Sequence, residues 1–250
     1  MLEFASALGV EGLAFIPVSA LRGDNVVERS ARMPWYGGEP LLAHLESAPA
    51  GASATGSPDA PVRLPVQLVI RDGERRRYAG RLAAGTLRPG DEVVVLPSGA
   101  RSRVSVVDGP GGARAEAFAP MSVAIGLEDE VDVGRGDLIA AVEAAPLPAR
   151  ELTATVCWLG DAPARPGGRY LLKHTTRTVR ARLDAIGHRI DVATLEREPA
   201  TELALNDLGE VSLRLGEPVM ADPYEEVRAT GAFILLDAAT NETVGAGMVA

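Results

Sequence analysis

Few side chains in this sequence are spaced as metal or hydrolase chemistry would require. A structural metal ion needs several thiolate, imidazole or carboxylate ligands at short spacing, such as Cys-x-x-Cys or two histidines four residues apart. The single cysteine and the three histidines lack such spacing; they are Cys157, His44, His174 and His188. No Gly-x-Ser-x-Gly sequence occurs, which argues against a hydrolase with a nucleophile elbow. We therefore expect no bound metal and no hydrolase site of this type.

A phosphate-binding P-loop would have to use Lys173, because this residue is the only lysine. In a phosphate-binding P-loop the lysine directly follows a glycine, and its ammonium group reaches the β and γ phosphates of the nucleotide. Lys173 follows Leu172 instead. The sequence therefore contains no P-loop.

Two groups of arginines could contact an anionic partner. Residues 71–77 with Arg81 predict a basic hairpin tip, whose candidate contact residues are Arg75, Arg76, Arg77 and Arg81. These arginines could meet an acidic protein face or an anionic nucleotide, or they could simply be solvated. The second group lies on one predicted strand, where the alternation of side chains separates Arg177 from Arg180 and Arg182. We therefore do not expect the second group to share one anion.

The sequence as a whole is acidic, with a formal charge of −9. This charge argues against duplex nucleic acid as the main partner, because binding to phosphates needs a net basic face. The segment Glu128-Asp129-Glu130 with Asp132 could bind a cation, but we interpret it as a solvated turn. No window of eighteen apolar residues predicts a membrane span. The single cysteine and the lack of a signal-peptide pattern predict a cytoplasmic protein.

The elements that must carry these residues are mostly short β-strands. Runs rich in Val and Leu alternate with turn sequences such as Arg88-Pro-Gly-Asp91, in which proline presets φ and glycine supplies the positive φ of a type II turn. The predicted strands cover residues 64–70, 78–82, 92–96, 116–127 and 136–140, and then 151–159, 169–173, 177–186, 203–205, 209–215 and 230–237. Residues 241–245 are predicted to form a turn.

Two segments divide the chain into predicted domains. Residues 50–61 are small and leave nothing to bury, which predicts a linker, and the proline-rich residues 144–148 predict a second one. Residues 62–145 and 149–250 are then two β-barrels. Residues 1–49 differ from both, since a helix tail at 2–8, a buried strand at 13–18 and a helix at 38–47 indicate part of an α/β layer.

The sequence of the first predicted barrel resembles that of a known family. Tyr78-Ala-Gly-Arg-Leu-Ala-Ala-Gly85-Thr-Leu-Arg-Pro-Gly90-Asp91-Glu-Val is similar to the second domain of translation-factor GTPases such as elongation factor Tu. Further segments resemble one branch, the GTPase (large) subunit of bacterial sulfate adenylyltransferase, also called ATP sulfurylase. They are residues 15–27, which begin Phe15-Ile-Pro-Val-Ser-Ala-Leu21-Arg-Gly-Asp-Asn25, and Met33-Pro-Trp-Tyr36, Arg135-Gly-Asp137, Arg169-Tyr-Leu-Leu-Lys173, Leu203-Ala-Leu-Asn-Asp-Leu-Gly209, Asp222-Pro-Tyr224 and Thr230-Gly-Ala-Phe-Ile-Leu235.

The resemblance implies a mainly β fold. Two consecutive translation-factor-like barrels, similar to elongation-factor domains 2 and 3, would follow a short α/β remnant of a P-loop GTPase domain at residues 1–49. It also implies an activity for the full-length family. A small catalytic subunit joins sulfate to ATP, forming adenosine 5′-phosphosulfate, and the large subunit hydrolyses GTP with Mg²⁺ to drive the reaction. In some members an adenylylsulfate kinase domain follows the last barrel; since this chain stops at Ala250, we expect that domain to be absent and the kinase to be a separate partner.

One loop of the nucleotide site has a counterpart here. Ser19, Ala20 and Leu21 match the family's Ser-Ala-Leu motif, in which backbone N–H groups, chiefly that of Ala20, meet the guanine carbonyl. Without the resemblance, Ser19 would be read as capping a turn. The family's Asn-Lys motif is missing because Lys173 follows Leu172, and its Asp-x-x-Gly motif matches only Asp108-Gly-Pro-Gly111, which we interpret as a turn.

One such loop cannot hold GTP. We therefore expect this chain alone to bind neither GTP nor Mg²⁺, to have no catalytic residue, and to act as a scaffold that docks the small subunit. Met1 would then be an internal start or the product of a truncated or split gene. The alternative is a translation-factor-like module that binds tRNA or the ribosome, or a non-functional remnant. The acidic charge and Met33-Pro-Trp-Tyr36 oppose the tRNA interpretation, and we expect Trp35 and Tyr36 to pack between the α/β remnant and the first barrel rather than bind a base.

Overall fold

The computed structural model describes Ala5 and residues 13–48, 60–73 and 75–250, excluding the side chains of Asp72 and Arg75. These fall into two compact units, residues 1–51 and 52–250. The predicted helix tail at residues 2–8 and nearly all of the predicted linker at 50–61 lie outside the described residues. Within the described part, no helix combines the length and the apolar character that crossing a membrane requires.

The first unit contains the helix α1 (Leu41–Ser47), which confirms the core of the helix predicted at residues 38–47. Its first amides donate to a preceding turn, with Leu41 N–H to the Asn25 carbonyl and Leu42 N–H to the Val26 carbonyl, both at 2.9 Å. These two bonds use N–H groups that have no partner inside the helix. The helix is thereby fixed to the loop that precedes it.

The prediction of a buried strand at residues 13–18 was wrong. These residues have no regular structure, and Phe15 is 53% exposed and Val18 44% exposed. A strand is stabilised by hydrogen bonds to a neighbouring strand. Among the described residues of this unit, the only bridge of that kind joins Ser19 to Asp24.

The second unit begins with a closed six-stranded barrel. Six of the nine strands in this region close the barrel. The nine are β1 (Arg63–Asp72), β2 (Arg75–Arg81), β3 (Thr86–Leu87), β4 (Glu92–Leu96), β5 (Ala100–Gly109), β6 (Gly112–Arg114), β7 (Ala117–Phe118), β8 (Ser122–Leu127) and β9 (Leu138–Ala141). The order around the barrel is β4-β9-β1-β2-β8-β5, and β5 pairs back to β4. β6 extends the sheet beyond β5, while β3 and β7 form a separate pair.

A second closed barrel follows a short 3-10 helix at Val142–Ala144. Its strands are β10 (Ala149–Trp158), β11 (Arg169–His174), β12 (Arg177–Ile190), β13 (Arg197–Glu198), β14 (Leu208–Val219), β15 (Ala232–Asp237) and β16 (Thr243–Val249), with the one-turn helix α2 (Arg228–Gly231) before β15. The order is β11-β15-β16-β10-β14-β12, closed by pairing of β12 with β11.

One strand prediction and one turn prediction in the second barrel were wrong. Residues 203–205 form no strand, and only an isolated bridge joins Leu203 to Ala164. Of residues 241–245, predicted as a turn, residues 243–245 belong to β16, and the turn lies at residues 238–240. There the carboxylate of Asp237 accepts hydrogen bonds from the backbone N–H groups of Ala239 and Thr240 at 2.8 and 2.9 Å.

Each barrel encloses its own apolar core, because alternate side chains point inward. The pattern is clear in β5 and β12, where buried and exposed residues alternate over several positions. The predicted type II turn between β3 and β4 is confirmed, since Gly90 has φ of 94° and the Asp91 N–H donates to the Arg88 carbonyl at 3.2 Å. Sequence alternation and turn chemistry together therefore position the barrel walls.

A third apolar cluster joins the two barrels. Val94, Leu96, Leu138 and Ala140 from β4 and β9 pack with Met220, which follows β14 of the second barrel. These residues lie on the outer face of the first barrel but are buried. Burial of apolar surface there stabilises the junction between the barrels.

Candidate functional site

The matched guanine-loop residues Ser19, Ala20 and Leu21 form a tight loop in the first unit. The Arg22 and Asp24 N–H groups donate to the Ser19 carbonyl at 3.1 and 3.2 Å, and the Ser19 N–H donates back to the Asp24 carbonyl at 3.2 Å. Ala20 is exposed and Leu21 is 96% exposed. The loop therefore presents a small side chain and open backbone to its surroundings.

Two polar residues that the sequence analysis did not single out, Asp24 and Asn25, hold this loop in place. Asp24 is 8% exposed and accepts hydrogen bonds from Ser30 Oγ at 2.6 Å and from Arg32 Nη2 at 2.7 Å. The Ser30 and Arg32 hydrogen bonds hold the pKa of the Asp24 carboxyl below its usual value. Asn25, with φ of 54°, donates from Nδ2 to the Pro17 carbonyl at 2.8 Å. The Gly23-Asp24-Asn25 turn sequence was the signal that could have identified them.

The predicted basic hairpin is the turn between β1 and β2. Arg77 already has an ion partner, since its Nε donates to Asp108 Oδ2 at 3.1 Å, and Arg81 Nε donates to the Pro120 carbonyl at 3.2 Å. Alternation along β2 places Arg76 on the opposite face from Arg77 and Arg81. The side chain of Arg75 lies outside the described residues. The hairpin therefore does not gather its arginines into a single patch, and their contact with a partner stays a prediction.

The acidic segment at residues 128–130 faces this hairpin across a cleft of about 540 Å³, whose walls include Arg76 and Arg77. Asp129 makes two hydrogen bonds with the hydroxyl of Ser102. Its Oδ2 accepts from Ser102 Oγ at 2.8 Å, and its backbone N–H donates to Ser102 Oγ at 3.2 Å. Asp108 and Gly109 end β5 and pair with Ala113 and Gly112, so the predicted turn at residues 108–111 is reduced to Pro110 and Gly111.

A buried ion pair lies between the barrels. Arg63 of β1 and Asp222, which follows β14, are 3% and 5% exposed. Arg63 donates from Nε to Asp222 Oδ2 at 2.9 Å and from Nη2 to Oδ1 at 2.7 Å, so the ion pair is bidentate. Such a pair fixes both distance and orientation. It therefore defines how the first barrel sits on the second.

The ion pair continues into a buried hydrogen-bond network. The hydroxyl of Thr230 donates to Asp222 Oδ2, and the Thr230 carbonyl lies 2.6 Å from Nε2 of His174. His174 is 3% exposed, and burial lowers the pKa of its imidazole. A neutral imidazole protonated at Nε2 fits this contact, because the N–H can donate to the carbonyl.

A second ionic contact crosses the same junction. Arg177 of β12 donates from Nη2 to Glu217 at 2.8 Å, and its Nη1 lies 3.7 Å from Asp137 of the first barrel. Arg180 and Arg182 are exposed on the outer face of β12, while Val179, Ala181 and Leu183 between and beside them are buried. The predicted separation of Arg177 from Arg180 and Arg182 is confirmed.

Comparison with known proteins identifies the family. A family model described as GTP-eEF1A C-terminal domain-like matches residues 151–250. The "Sulfate adenylyltransferase subunit 1" of Tolumonas auensis is 46% identical over 249 residues, covering 99% of this chain and 52% of that protein. The "Bifunctional enzyme CysN/CysC" of Mycobacterium tuberculosis is 49% identical over 253 residues, covering 98% of this chain and 41% of that protein. This chain belongs to the sulfate adenylyltransferase subunit 1 family.

The chain spans about half the length of these sulfate adenylyltransferase relatives, between 41% and 52%. The barrels also resemble a solved structure, that of sup35 complexed with GDP, with a TM-score of 0.72 and 22% identity over 93% of this chain and 57% of that one. This likeness shows the fold. The predicted resemblance and the predicted fold class are both confirmed.

In the first unit, Trp35 is 72% exposed, and its ring meets that of Tyr36 edge-on at 6.3 Å between centroids. Their predicted packing between this unit and the first barrel stays a prediction. In the described ranges, no three His, Cys, Asp or Glu side chains come together as metal ligands would. The candidate site residues are divided between the two units. Ser19, Ala20 and Leu21 lie in the first unit, and the arginines of β2 lie in the second.

Proposed function

We propose that this chain is the part of a sulfate adenylyltransferase large subunit that holds the small catalytic subunit and transmits to it the state of a GTPase domain. In the full-length enzyme, GTP hydrolysis with Mg²⁺ would drive the formation of adenosine 5′-phosphosulfate from ATP and sulfate. The observation that carries this proposal is the 46% identity to a protein named subunit 1, over 99% of this chain. A protein so named has a partner subunit.

The junction between the barrels supports the transmitting role. A change of state passes between distant sites through elements that move as one body. The Arg63–Asp222 pair and the Met220 cluster resist sliding of one barrel over the other. A displacement imposed on one barrel would therefore reach the surface of the other.

We further infer that the chain alone neither hydrolyses GTP nor adenylates sulfate. Phosphoryl transfer depends on cationic groups and Mg²⁺ that neutralise the phosphates. The single lysine lies in β11, and the loop at residues 19–21 would supply one contact to a guanine base. The complex would act in the cytoplasm, where an unpaired cysteine such as Cys157 stays reduced.

The docking contact would use the exposed arginines of the β1–β2 hairpin. Arg76 is exposed, and Arg81 keeps donors free beyond its bond to the Pro120 carbonyl. Arginine is the side chain best suited to bidentate contact with carboxylates at a protein interface. Because they lie on opposite faces of β2, Arg76 and Arg81 would each bind a separate acidic group of the small subunit.

The experiment combines the purified chain with the small subunit and measures complex formation by sedimentation velocity. We expect a stoichiometric complex that the R76E/R81E variant weakens and the R101E/R197E variant does not, since Arg101 and Arg197 are exposed arginines on other strands. Recovery of tRNA instead of the small subunit would support a translation-factor-like module. Turnover of GTP by the chain alone would show that the reading of its nucleotide motifs is wrong.

A further inference from the structure

Three arginines stand side by side on the outside of the second barrel. In the β11–β12 pairing Arg169 lies opposite Arg182, and in the β12–β14 pairing Arg182 lies opposite Arg214. Arg180 lies opposite Leu171, two residues along the same outer face. Lys173 is exposed on β11, diagonal to Arg180. We call the five basic residues the cationic face: Arg169, Lys173, Arg180, Arg182 and Arg214.

The carboxylates around the cationic face do not balance it. Asp184 accepts from Arg182 Nε at 2.6 Å and from Arg214 Nε at 2.8 Å, and Glu151 lies 3.4 Å from Arg214. For Arg169, Lys173 and Arg180, no carboxylate of the described residues lies within ion-pair distance. Five cations thus share two carboxylates, in a chain whose net charge is −9.

The charges of the row are compensated unevenly. Side chains directly opposite each other on antiparallel strands have Cβ atoms about 5 Å apart, and like charges there repel. Asp184 offsets this repulsion between Arg182 and Arg214, whereas Arg169, opposite Arg182, has no carboxylate partner among the described residues. An external anion that binds across the row would offset the repulsion.

The shape of the face indicates what kind of anion fits. The guanidinium groups extend over two inter-strand spacings, about 9.6 Å, so they do not converge on one point. Arg182 and Arg214 keep side-chain exposures of 53% and 57%, which would leave a small anion hydrated. A shallow cleft of about 500 Å³ lies between them, and Gly216 and Ala238 leave room in it for a polypeptide.

We propose that the cationic face binds an acidic segment of a partner protein, with its Asp or Glu carboxylates on Arg169 and Arg180 and its backbone in the cleft beside Gly216. Charge complementarity of this kind selects the partner and speeds association. The inference does not depend on the small subunit being that partner.

The test uses the purified chain and a fluorescein-labelled octaglutamate peptide at low ionic strength. The position of Lys173 allows mapping, because a carbodiimide joins a bound carboxylate to a nearby amine and the chain has one lysine. We expect the peptide to be found by mass spectrometry on Lys173, and fluorescence anisotropy to show binding that added salt weakens.

The R169E/R180E variant should bind the peptide about tenfold less tightly, and the neutral R169Q/R180Q variant should show a smaller loss in the same direction. The K173R variant keeps the positive charge and should no longer form the crosslink. Circular dichroism verifies that each variant is folded, and R101E/R197E is the control with the same charge change.

Several results would overturn the proposal. Equal loss of binding in R101E/R197E would show that only net charge matters. A crosslink confined to the amino terminus would place the peptide elsewhere. Inorganic tripolyphosphate and a short single-stranded RNA are tested as competitors beside unlabelled octaglutamate. If either displaced the labelled peptide at a lower concentration than unlabelled octaglutamate does, the face would prefer phosphate to carboxylate.

Discussion

Arg63 in the first barrel and Asp222 in the second form a bidentate ion pair, with N–O distances of 2.9 and 2.7 Å, and both residues are almost fully buried. The two are 159 residues apart in the sequence. The pair sits beside the apolar cluster around Met220. Stability and the relative position of the barrels therefore depend on the same contact.

Replacing Asp222 with alanine should destabilise the second unit by about 3–5 kcal/mol, because Arg63 would keep a buried charge without a partner. Urea unfolding followed by circular dichroism measures the change. The double variant R63M/D222L removes both charges and should be less destabilised than D222A. The surface pair Arg88–Glu116 gives the control, since R88A/E116A should change stability by less than about 1 kcal/mol. A D222A variant as stable as the wild type would contradict the assigned role of the pair.

His174 should make stability dependent on pH. Burial lowers the pKa of His174 in the folded state from its ordinary value of 6.5, so below pH 6.5 the unfolded chain binds a proton that the folded chain does not. The free energy of unfolding should therefore fall as the pH decreases from 6.5 toward the folded-state pKa. Unfolding curves at pH 7.5 and pH 5.5 measure the slope.

The H174Q variant should lose part of that slope. Because Gln does not replace every contact of the imidazole, its stability is also compared with that of the wild type at pH 7.5 alone. If wild type and H174Q lost the same stability between the two pH values, His174 would not be the titrating group.

Substitutions at Gly85 and Gly99 distinguish the cost of backbone strain from the cost of steric conflict. Gly85 and Gly99 have nearly equal φ values of 75° and 77°, yet a Cβ at Gly85 would lie 2.6 Å from the Ala60 carbonyl oxygen, whereas a Cβ at Gly99 would have no neighbour within 4 Å. G99A should cost about 1–2 kcal/mol from the left-handed backbone alone. G85A should cost clearly more. Chemical denaturation of both variants tests the order, and equal costs would mean that the chain near Ala60 moves away freely.

Asp24 should control the order of the loop at residues 19–21. D24A removes the acceptor for Ser30 and Arg32, so amide hydrogens of residues 19–26 should exchange faster in the variant. Hydrogen exchange with mass spectrometry detects the change. E28A, at an exposed position of the same unit, is the matched control and should leave exchange unaltered. Unchanged exchange in D24A would show that the backbone bonds of Ser19 hold the loop by themselves.

Most barrel strands could be predicted because Val and Leu alternate between turn residues. β16 could not, because its inward positions Gly245 and Gly247 carry no apolar side chain. A Cβ at Gly247 would collide with the ring of Phe233, and one at Gly245 would press on Trp158. The glycines are therefore required by large neighbours that become adjacent only in the folded barrel.

The candidate site was predictable only in part, for a related reason. The loop at residues 19–21 is a local motif, whereas the Arg63–Asp222 pair depends on how two barrels meet. The arginine row on β11, β12 and β14 likewise depends on register, which places Arg169, Arg182 and Arg214 in line although they are far apart in sequence.

The junction at Arg63 and Asp222 has a consequence for how the molecule tumbles. Two barrels joined only by a flexible linker would rotate independently, each with the rotational correlation time of a small protein. Barrels held together by a buried bidentate contact rotate as one particle, so backbone amides of β5 and β15 should relax in a magnetic field with a common diffusion tensor.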